Sequence, residues 1–224
     1  MLSLSQAICQ MVTEKQNETI GIYRALMSEA RYRIDLFNHI LAGGTGLPEA
    51  AVMELCFLQL RMLCETIALA CVVIHEGISA IAMHKKLAKE WHAEKIIGAL
   101  NELHPHFFPQ AIELRGKHIQ GGVKQNALTK DELINLYGTC GDALHRGTAN
   151  KILNYKTTKN RRLDLPEITK WAQKCEDLLG SHVIVSFGGK MIVMCLLRDT
   201  ARNMDTSTTV IEHQELPTTL KENG

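Results

Sequence analysis

The sequence predicts a mainly α protein, a helical bundle with a small C-terminal antiparallel β-meander. Apolar side chains recur at a period of 3.6 residues along most of the chain, and from His182 onward the period changes to two. Glycine or proline stands at most changes of pattern. Hydrophobic residues form 46% and charged residues 22% of the 224 positions, which is typical of a globular protein. We expect about five to seven helices and three strands.

The first two predicted helices are long, and the second is the more apolar of the two. Residues 4–42 repeat apolar side chains on one face and end at the glycines of 43–46. Pro48 lies near the first turn of the second helix, 48–76, which is apolar on nearly every side and therefore should be surrounded by other helices. Charged residues interrupt it, so we predict a buried core helix and no membrane span.

The middle of the chain gives weaker signals. Residues 78–89 and 90–103 are predicted as two shorter helices, the second ending at His104-Pro105. Residues 104–127 contain two prolines and several glycines, and they are predicted to form a long connection with little regular structure.

The next helix has a clear start. Thr129 and Glu132 form the pattern of a capping box, and the helix that follows is predicted to end near His145, with Gly147 as its stop. A polar linker covers 155–164. Pro166 begins the last predicted helix, 166–179, which ends at Gly180.

The C-terminal strands are predicted from turn residues and from side chains that alternate between apolar and polar. "HVIVSF" and "KMIVMCLL" flank Gly188-Gly189, the pattern of a hairpin, and the second strand is apolar on both faces, which favours an interior position. A third strand is predicted at 208–214. The expected organisation is a helical bundle over 1–160, a helix with a three-stranded sheet packed on it over 161–215, and a flexible tail over 216–224. The two apolar faces of the central strand need cover, from the last helix on one side and from the bundle or a second subunit on the other. We expect a homodimer.

Composition and the cysteine count exclude some classes of function and indicate the cellular compartment. The formal net charge is +1, which gives nucleic-acid binding no support. The seven cysteines are odd in number and include no CxxC pair, so we expect free thiols in a reducing compartment. The N-terminus lacks the basic segment and cleavage motif of a signal peptide. These features predict a cytoplasmic protein.

The charged residues of the second helix lie on one side of it. At about 100° per residue, Glu54, Arg61 and Glu65 fall within about 40° of one another, and Glu76 extends the same line. Buried charges must be paired or face water. Two interpretations stay open: a solvated or ion-paired stripe, and a polar cleft in which Arg61 holds an anion or orients a neighbouring acid.

The predicted helix near 130–145 has two different sides. Glycines 138 and 141 each weaken a helix by about 1 kcal/mol relative to alanine, and close approach by another backbone would offset that cost. One side carries Tyr137, Cys140 and Leu144, and the other carries Gly138, Asp142 and His145.

Polar residues at the end of this helix are the main site candidates. Asp142 stands three residues before His145, so its carboxylate can hydrogen-bond the imidazole and raise its basicity. Arg146 follows at the C-terminal end, where positive charge is favourable. Either this is a tight helix crossing with a capping His-Arg pair, or it is a site facing Arg61. In the second interpretation the catalytic residues are His145, Asp142, Arg61 and Glu65, and a ligand is bound by Arg146 and Tyr137.

The sequence lacks the patterns of metal sites, of nucleophilic catalysis and of phosphate-binding loops. His104 and His106 have no cysteine or acidic companion at the spacing of a zinc site, so no metal is expected. No nucleophile elbow is present, and neither glycine cluster has the ending of a phosphate loop. We therefore expect no cofactor.

Three stretches carry a resemblance to a known superfamily. They are "LQLRMLCETIALACVVI", with an Arg-xxx-Glu pattern; "WHAEKIIGALNELHPHFFPQ", ending in a Pro-aromatic-Pro turn; and "LYGTCGDALHRG", a late helix ending in histidine. Over roughly residues 45–150 the chain resembles uncharacterised bacterial proteins whose core is similar to the HEPN-type helical bundle. That resemblance implies an all-α domain, often dimeric, found in toxin and antiphage proteins and in some RNA nucleases.

The chain departs from the nuclease members of that superfamily. They carry an arginine four to six residues before the late histidine, whereas here Arg146 follows His145, and the only matching spacing joins Arg33 to His39 in the first helix. We therefore predict a binding or interaction module of a bacterial defence or regulatory system, with a protein partner. The alternative is a HEPN-like ribonuclease or nucleotide-handling enzyme that uses His145 as acid or base and Arg61 or Arg146 for phosphate charge.

Overall fold

The computed structural model describes residues 4–75, 87, 89–115, 118–145, 165–186, 189, 191–200 and 205–210. Its helices are α1 (Leu4–Leu41), α2 (Glu49–Ile74), α3 (Ala93–Leu103), α4 (Lys130–Leu144) and α5 (Leu165–Leu179). Its strands are β1 (Gln110–Arg115), β2 (His118–Val123), β3 (Ser181–Val185), β4 (Ile192–Leu196) and β5 (Ser207–Val210). The predicted fold class, mainly helical with an antiparallel sheet, is confirmed. Nearly all of the predicted helix 78–89, and the polar linker, lie outside the described residues.

Helices α1 and α2 form the centre of the bundle. The predicted face of α1 is buried, with Tyr23, Met27 and Phe37 at 1% exposure or less. The chain reverses at Gly43 (φ 81°) and Gly46 (φ 63°), a backbone conformation that glycine adopts without strain. Helix α2 then packs against α1, α3, α4 and α5, as its apolar sequence predicts.

Helix α2 also meets the length and composition of a membrane span. Within the described residues it is the one helix that does so, and 61% of its most apolar 18-residue stretch is buried inside the protein. The six cysteines whose side chains the structure describes are free and buried.

The sheet is wider than the predicted meander. Its five strands run in the order β2-β1-β3-β4-β5, and every neighbouring pair is antiparallel. The prediction of an irregular connection over 104–127 is therefore wrong, since β1 and β2 lie there. A bulge at Ile112/Glu113 and the glycines of β2 break the alternation that would have indicated strands, and pairing overrides their low β-propensity.

Strand β1 joins the two parts of the chain. It pairs with β3 through Gln110 with Val183 and Ala111 with His182, so the sheet takes strands from both sides of the predicted boundary at residue 160. Strand β4 has β3 and β5 as neighbours, which confirms its predicted interior position. The main hydrophobic core includes residues of the helices and of β3 and β4, and a second small cluster of Ile112, Val183 and Ile192 lies apart from it.

A buried hydrogen bond joins the sheet to α1. The Tyr23 hydroxyl lies 2.7 Å from His182 Nε2, and His182 Nδ1 lies 3.0 Å from the Leu179 carbonyl oxygen. Because that carbonyl can only accept, Nδ1 carries the ring proton and Nε2 accepts from Tyr23. Both side chains are fully buried. The first helix is thus fixed to β3 by a polar contact inside the core.

Candidate functional site

Helix α4 is positioned by its predicted capping box. The Thr129 hydroxyl accepts from the Glu132 amide at 3.3 Å, and the Glu132 carboxylate accepts from the Thr129 amide at 3.0 Å. These bonds satisfy amide groups that the first helical turn leaves without a helical partner. From there α4 crosses α2 with Tyr137 and Cys140 buried and with Gly138, Asp142 and His145 exposed. The two predicted sides of this helix are confirmed.

Three polar side chains meet where α2 and α4 cross. Arg61 Nε lies 3.4 Å from Glu65 Oε1, and Arg61 Nη2 donates a hydrogen bond of 2.8 Å to the Tyr137 hydroxyl. The guanidinium carbon lies 4.3 Å from the centre of the Tyr137 ring, within the range of a cation–π contact. We call Arg61, Glu65 and Tyr137 the Arg61 cluster.

The positive and negative charges within the Arg61 cluster balance each other. The side chains of Arg61 and Glu65 are each 16% exposed, so their charges are partly removed from water and neutralise each other. Burial raises the pKa of Tyr137, the nearby Arg61 charge lowers it, and the charge and hydrogen bonding of Glu65 raise it further. Tyr137 is therefore a neutral phenol near pH 7. The cluster holds the guanidinium in place, and the Glu65 carboxylate balances its charge.

Gly141 makes room for the guanidinium. A Cβ atom at Gly141 would lie 2.9 Å from Arg61 Nη1, whereas a Cβ atom at Gly138 would have nothing within 4 Å. The close approach predicted for this helix is therefore found at Gly141 alone, and the approaching group is a side chain rather than another backbone. No group approaches Gly138 closely enough to require a glycine there.

Replacing each glycine with alanine is expected to give opposite results. Gly138→Ala should stabilise the protein by about 0.5–1 kcal/mol through helix propensity. Gly141→Ala gains the same amount but displaces a guanidinium whose charged hydrogen bonds are worth about 1.5–3 kcal/mol, so the variant should be less stable than wild type. Urea unfolding measures both free energies. Equal stabilisation by both variants would show that Arg61 moves away without cost.

The remaining predicted site residues that the structure describes, Asp142 and His145, are exposed at the end of α4. The backbone amide of His145 donates to the Gly141 carbonyl at 3.0 Å and ends the helix, and the His145 side chain is exposed, as is Asp142. Among the described residues no hydrogen bond or ion pair joins His145 to Arg61 or Glu65. Glu54 is exposed. Glu76, Arg146 and Gly147 lie outside the part of the chain that the structure describes.

Histidines gather at the C-terminal end of α2. The ring centres of His75 and His104 are 5.5 Å apart, and those of His104 and His106 are 6.1 Å apart. His75 Nδ1 donates to the Cys71 carbonyl oxygen at 2.6 Å. Burial lowers the pKa of His75 to about 4, and burial together with His106 lowers the pKa of His104. Within the described residues no group of three or more His, Cys, Asp or Glu side chains could hold a metal ion.

The sequence placed Tyr23 on the buried face of α1 but indicated no polar partner for it, and it did not single out His75 or His182 as buried polar groups. Tyr23 and His182 are 159 positions apart, and neither has a local pattern that distinguishes it from an apolar neighbour. His75 had a usable signal, because it directly continues the apolar run of α2. A histidine there is more easily buried than solvated.

No protein-family model, curated protein or solved structure matches this chain. The class of protein is therefore described by its own fold and site. It is a mainly helical bundle with an antiparallel sheet, and the Arg61 cluster connects two of its core helices.

Proposed function

We propose that the chain is a cytoplasmic, non-catalytic interaction module. The observation that supports this most strongly is the state of Arg61, whose guanidinium is engaged by Glu65 and Tyr137. A nuclease of the alternative kind needs an arginine whose positive charge is available to the phosphate that reacts. Here that charge is already balanced by a carboxylate one helical turn away.

The position of His145 also supports a binding role. A general acid or base works best in a pocket that excludes water and fixes its partner groups. His145 is exposed at the end of α4, and Tyr137, the ionisable side chain nearest Arg61 on that helix, is kept protonated. The balanced net charge of +1 gives RNA little general attraction. The defence or regulatory setting stays a prediction of the resemblance.

An RNA assay tests the proposal. Purified full-length protein in excess over end-labelled RNA should leave the RNA intact, and His145→Ala should behave like the wild type. His106→Ala replaces another exposed histidine and serves as the control. Cleavage that is lost in His145→Ala and retained in His106→Ala would overturn the proposal in favour of the ribonuclease.

Affinity purification tests the binding role itself. The tagged chain, expressed in the cells that encode it, should retain a partner protein near stoichiometric amounts, and His145→Ala should retain it equally. If quantitative mass spectrometry finds no protein enriched over a tag-only control, the interaction role loses its support.

A further inference from the structure

Three imidazoles lie in a row from the core to the surface at the C-terminal end of α2. His75 is buried, His104 is half-buried and His106 is exposed. The ring centres of neighbouring members are 5.5 Å and 6.1 Å apart. We call these three residues the histidine row. Through it, a titratable group in the core is connected to solvent by other titratable groups.

His75 has no negative charge beside it. Its Nδ1 donates to the Cys71 carbonyl oxygen, and its Nε2 is buried without a hydrogen-bond partner. The other groups that act on the ring are the Val185 carbonyl of β3, which favours the charged form, and the His104 imidazole, which opposes it. Burial raises the pKa of the Cys71 thiol, so it carries no charge. A proton on this buried imidazole would therefore be costly.

The other two histidines belong to the turn that joins α3 to β1, residues 104–109. Phe107 of this turn is fully buried, and its ring centre lies 6.4 Å from that of His75. Both prolines of the turn lack an amide hydrogen, and the Phe107 amide donates to the His104 carbonyl at 3.1 Å. The contact of this turn with the end of α2 thus depends on the Phe107 side chain and the histidine rings.

Acid favours separation of this turn from α2. An imidazole in water takes up a proton near pH 6.5. In the closed turn, burial and the neighbouring ring lower the pKa of His75 to about 4, and burial together with His106 lowers the pKa of His104. The open form therefore binds more protons below pH 6.5, and each such histidine shifts the equilibrium toward it by up to about tenfold per pH unit.

We propose that the histidine row is an acid-sensitive contact built into the fold: protonation of His104 and His75 releases the turn 104–109 from α2 and exposes Phe107. The ring of the half-buried Phe108 lies 6.0 Å from that of Phe107, so the open form presents two aromatic side chains together. The closed turn is fully stable above pH 6.5 and loses stability as the pH falls below it. This device goes beyond the proposed function, since it requires neither a partner nor a ligand.

Amide hydrogen exchange of the protein, followed by NMR at pH 7.5 and pH 5.5, tests the inference. The protection factor of the Phe107 amide, which corrects for the intrinsic exchange rate, should fall at least about fivefold between these pH values. Low concentrations of urea should leave it unchanged, because a local opening exposes little surface. A protection factor that falls with urea as steeply as those of the most protected amides would assign the effect to global unfolding and overturn the inference.

Two histidine variants separate the row from other titrating groups. His75→Asn retains a donor for the Cys71 carbonyl but does not titrate, so the fall in Phe107 protection should be several times smaller. His39→Gln removes an exposed histidine of α1 and should leave the fall unchanged. Matching circular dichroism spectra and melting temperatures at pH 7.5 establish that the variants are folded. An equal fall in His75→Asn and wild type, or a wild-type fall smaller than about fivefold, would contradict the inference.

Discussion

Lowering the pH from 6.5 to 4.5 is expected to destabilise the protein by about 4 kcal/mol, because two buried histidines stay neutral in the folded state. Burial lowers the pKa of His75 to about 4 and that of His182 to about 4, whereas both rings titrate near their ordinary value of 6.5 in the unfolded chain. Between these values the unfolded chain binds more protons. Stability therefore falls by about 1.4 kcal/mol per pH unit for each histidine.

The direction of the stability change and the pH range in which it occurs separate the effect of the histidines from that of the carboxylates. For a base whose folded pKa is depressed, stability is complete above the unfolded pKa and is lost as pH falls toward the folded value. Burial raises the pKa of Glu132, but its contacts with Thr129 and Lys174 outweigh burial and lower it, so Glu132 loses its contribution as pH falls below the ordinary value of 4.5. A steep loss above pH 4.5 is thus specific to the histidines.

Urea unfolding at half-unit pH steps measures this effect. His75→Asn retains a donor for the Cys71 carbonyl but does not titrate, so it should lower the slope by about 1.4 kcal/mol per pH unit. His145→Gln removes an exposed histidine and should leave the slope unchanged. A wild type whose stability is flat from pH 6.5 to 5 would contradict the burial of neutral histidines.

Tyr23→Phe is expected to destabilise the protein by about 1–3 kcal/mol at pH 8, where the histidines are neutral in both states. The substitution removes one oxygen atom and leaves His182 Nε2 buried without its donor. His182→Leu should cost a similar amount, because it leaves the Tyr23 hydroxyl without its acceptor. Tyr32→Phe makes the same change at an exposed tyrosine of the same helix and should stay within about 0.5 kcal/mol of wild type.

The double variant gives the sharper result. The double variant Tyr23→Phe with His182→Leu leaves neither side chain with an unsatisfied group, and the Leu179 carbonyl loses its donor in both variants that lack His182, so that loss cancels in the comparison. The double variant should therefore cost clearly less than the sum of the single substitutions, by about 1 kcal/mol or more. Urea titrations give the unfolding free energies of the wild type, the two single variants and the double variant, which together form a double-mutant cycle. Additive losses would mean that the hydroxyl and the imidazole do not interact in the folded protein.

The helices could be predicted because their signals are local. The face of α1, the proline before α2, the capping box of Thr129 and the apolar face of α5 are each contained within a few turns of chain. β1 and β2 could not be predicted in this way. Their glycines and the bulge obscure the period of two, and the pairing of β1 with β3 joins residues about seventy positions apart.

The candidate site was predicted in part. Sequence placed Arg61 and Glu65 on one side of α2 and Tyr137 on the side of α4 that carries Cys140 and Leu144, and the structure brings Arg61, Glu65 and Tyr137 together. It also indicated that one helix would be approached closely at a glycine. Which glycine, and by which group, depended on where the Arg61 side chain extends across the crossing, and local spacing contains no information on that.

The sequence by itself determined the helical elements, the two sides of α4, the free cysteines and the hairpin of β3 and β4, because periodicity, capping and turn chemistry act between residues close in the chain. The tertiary structure alone decided that Tyr23 meets His182, that Tyr137 receives Arg61, and that β1 completes the sheet. The reason is physical: whether a polar group is buried and what satisfies it depend on which distant elements pack together, and that packing is set by the whole core.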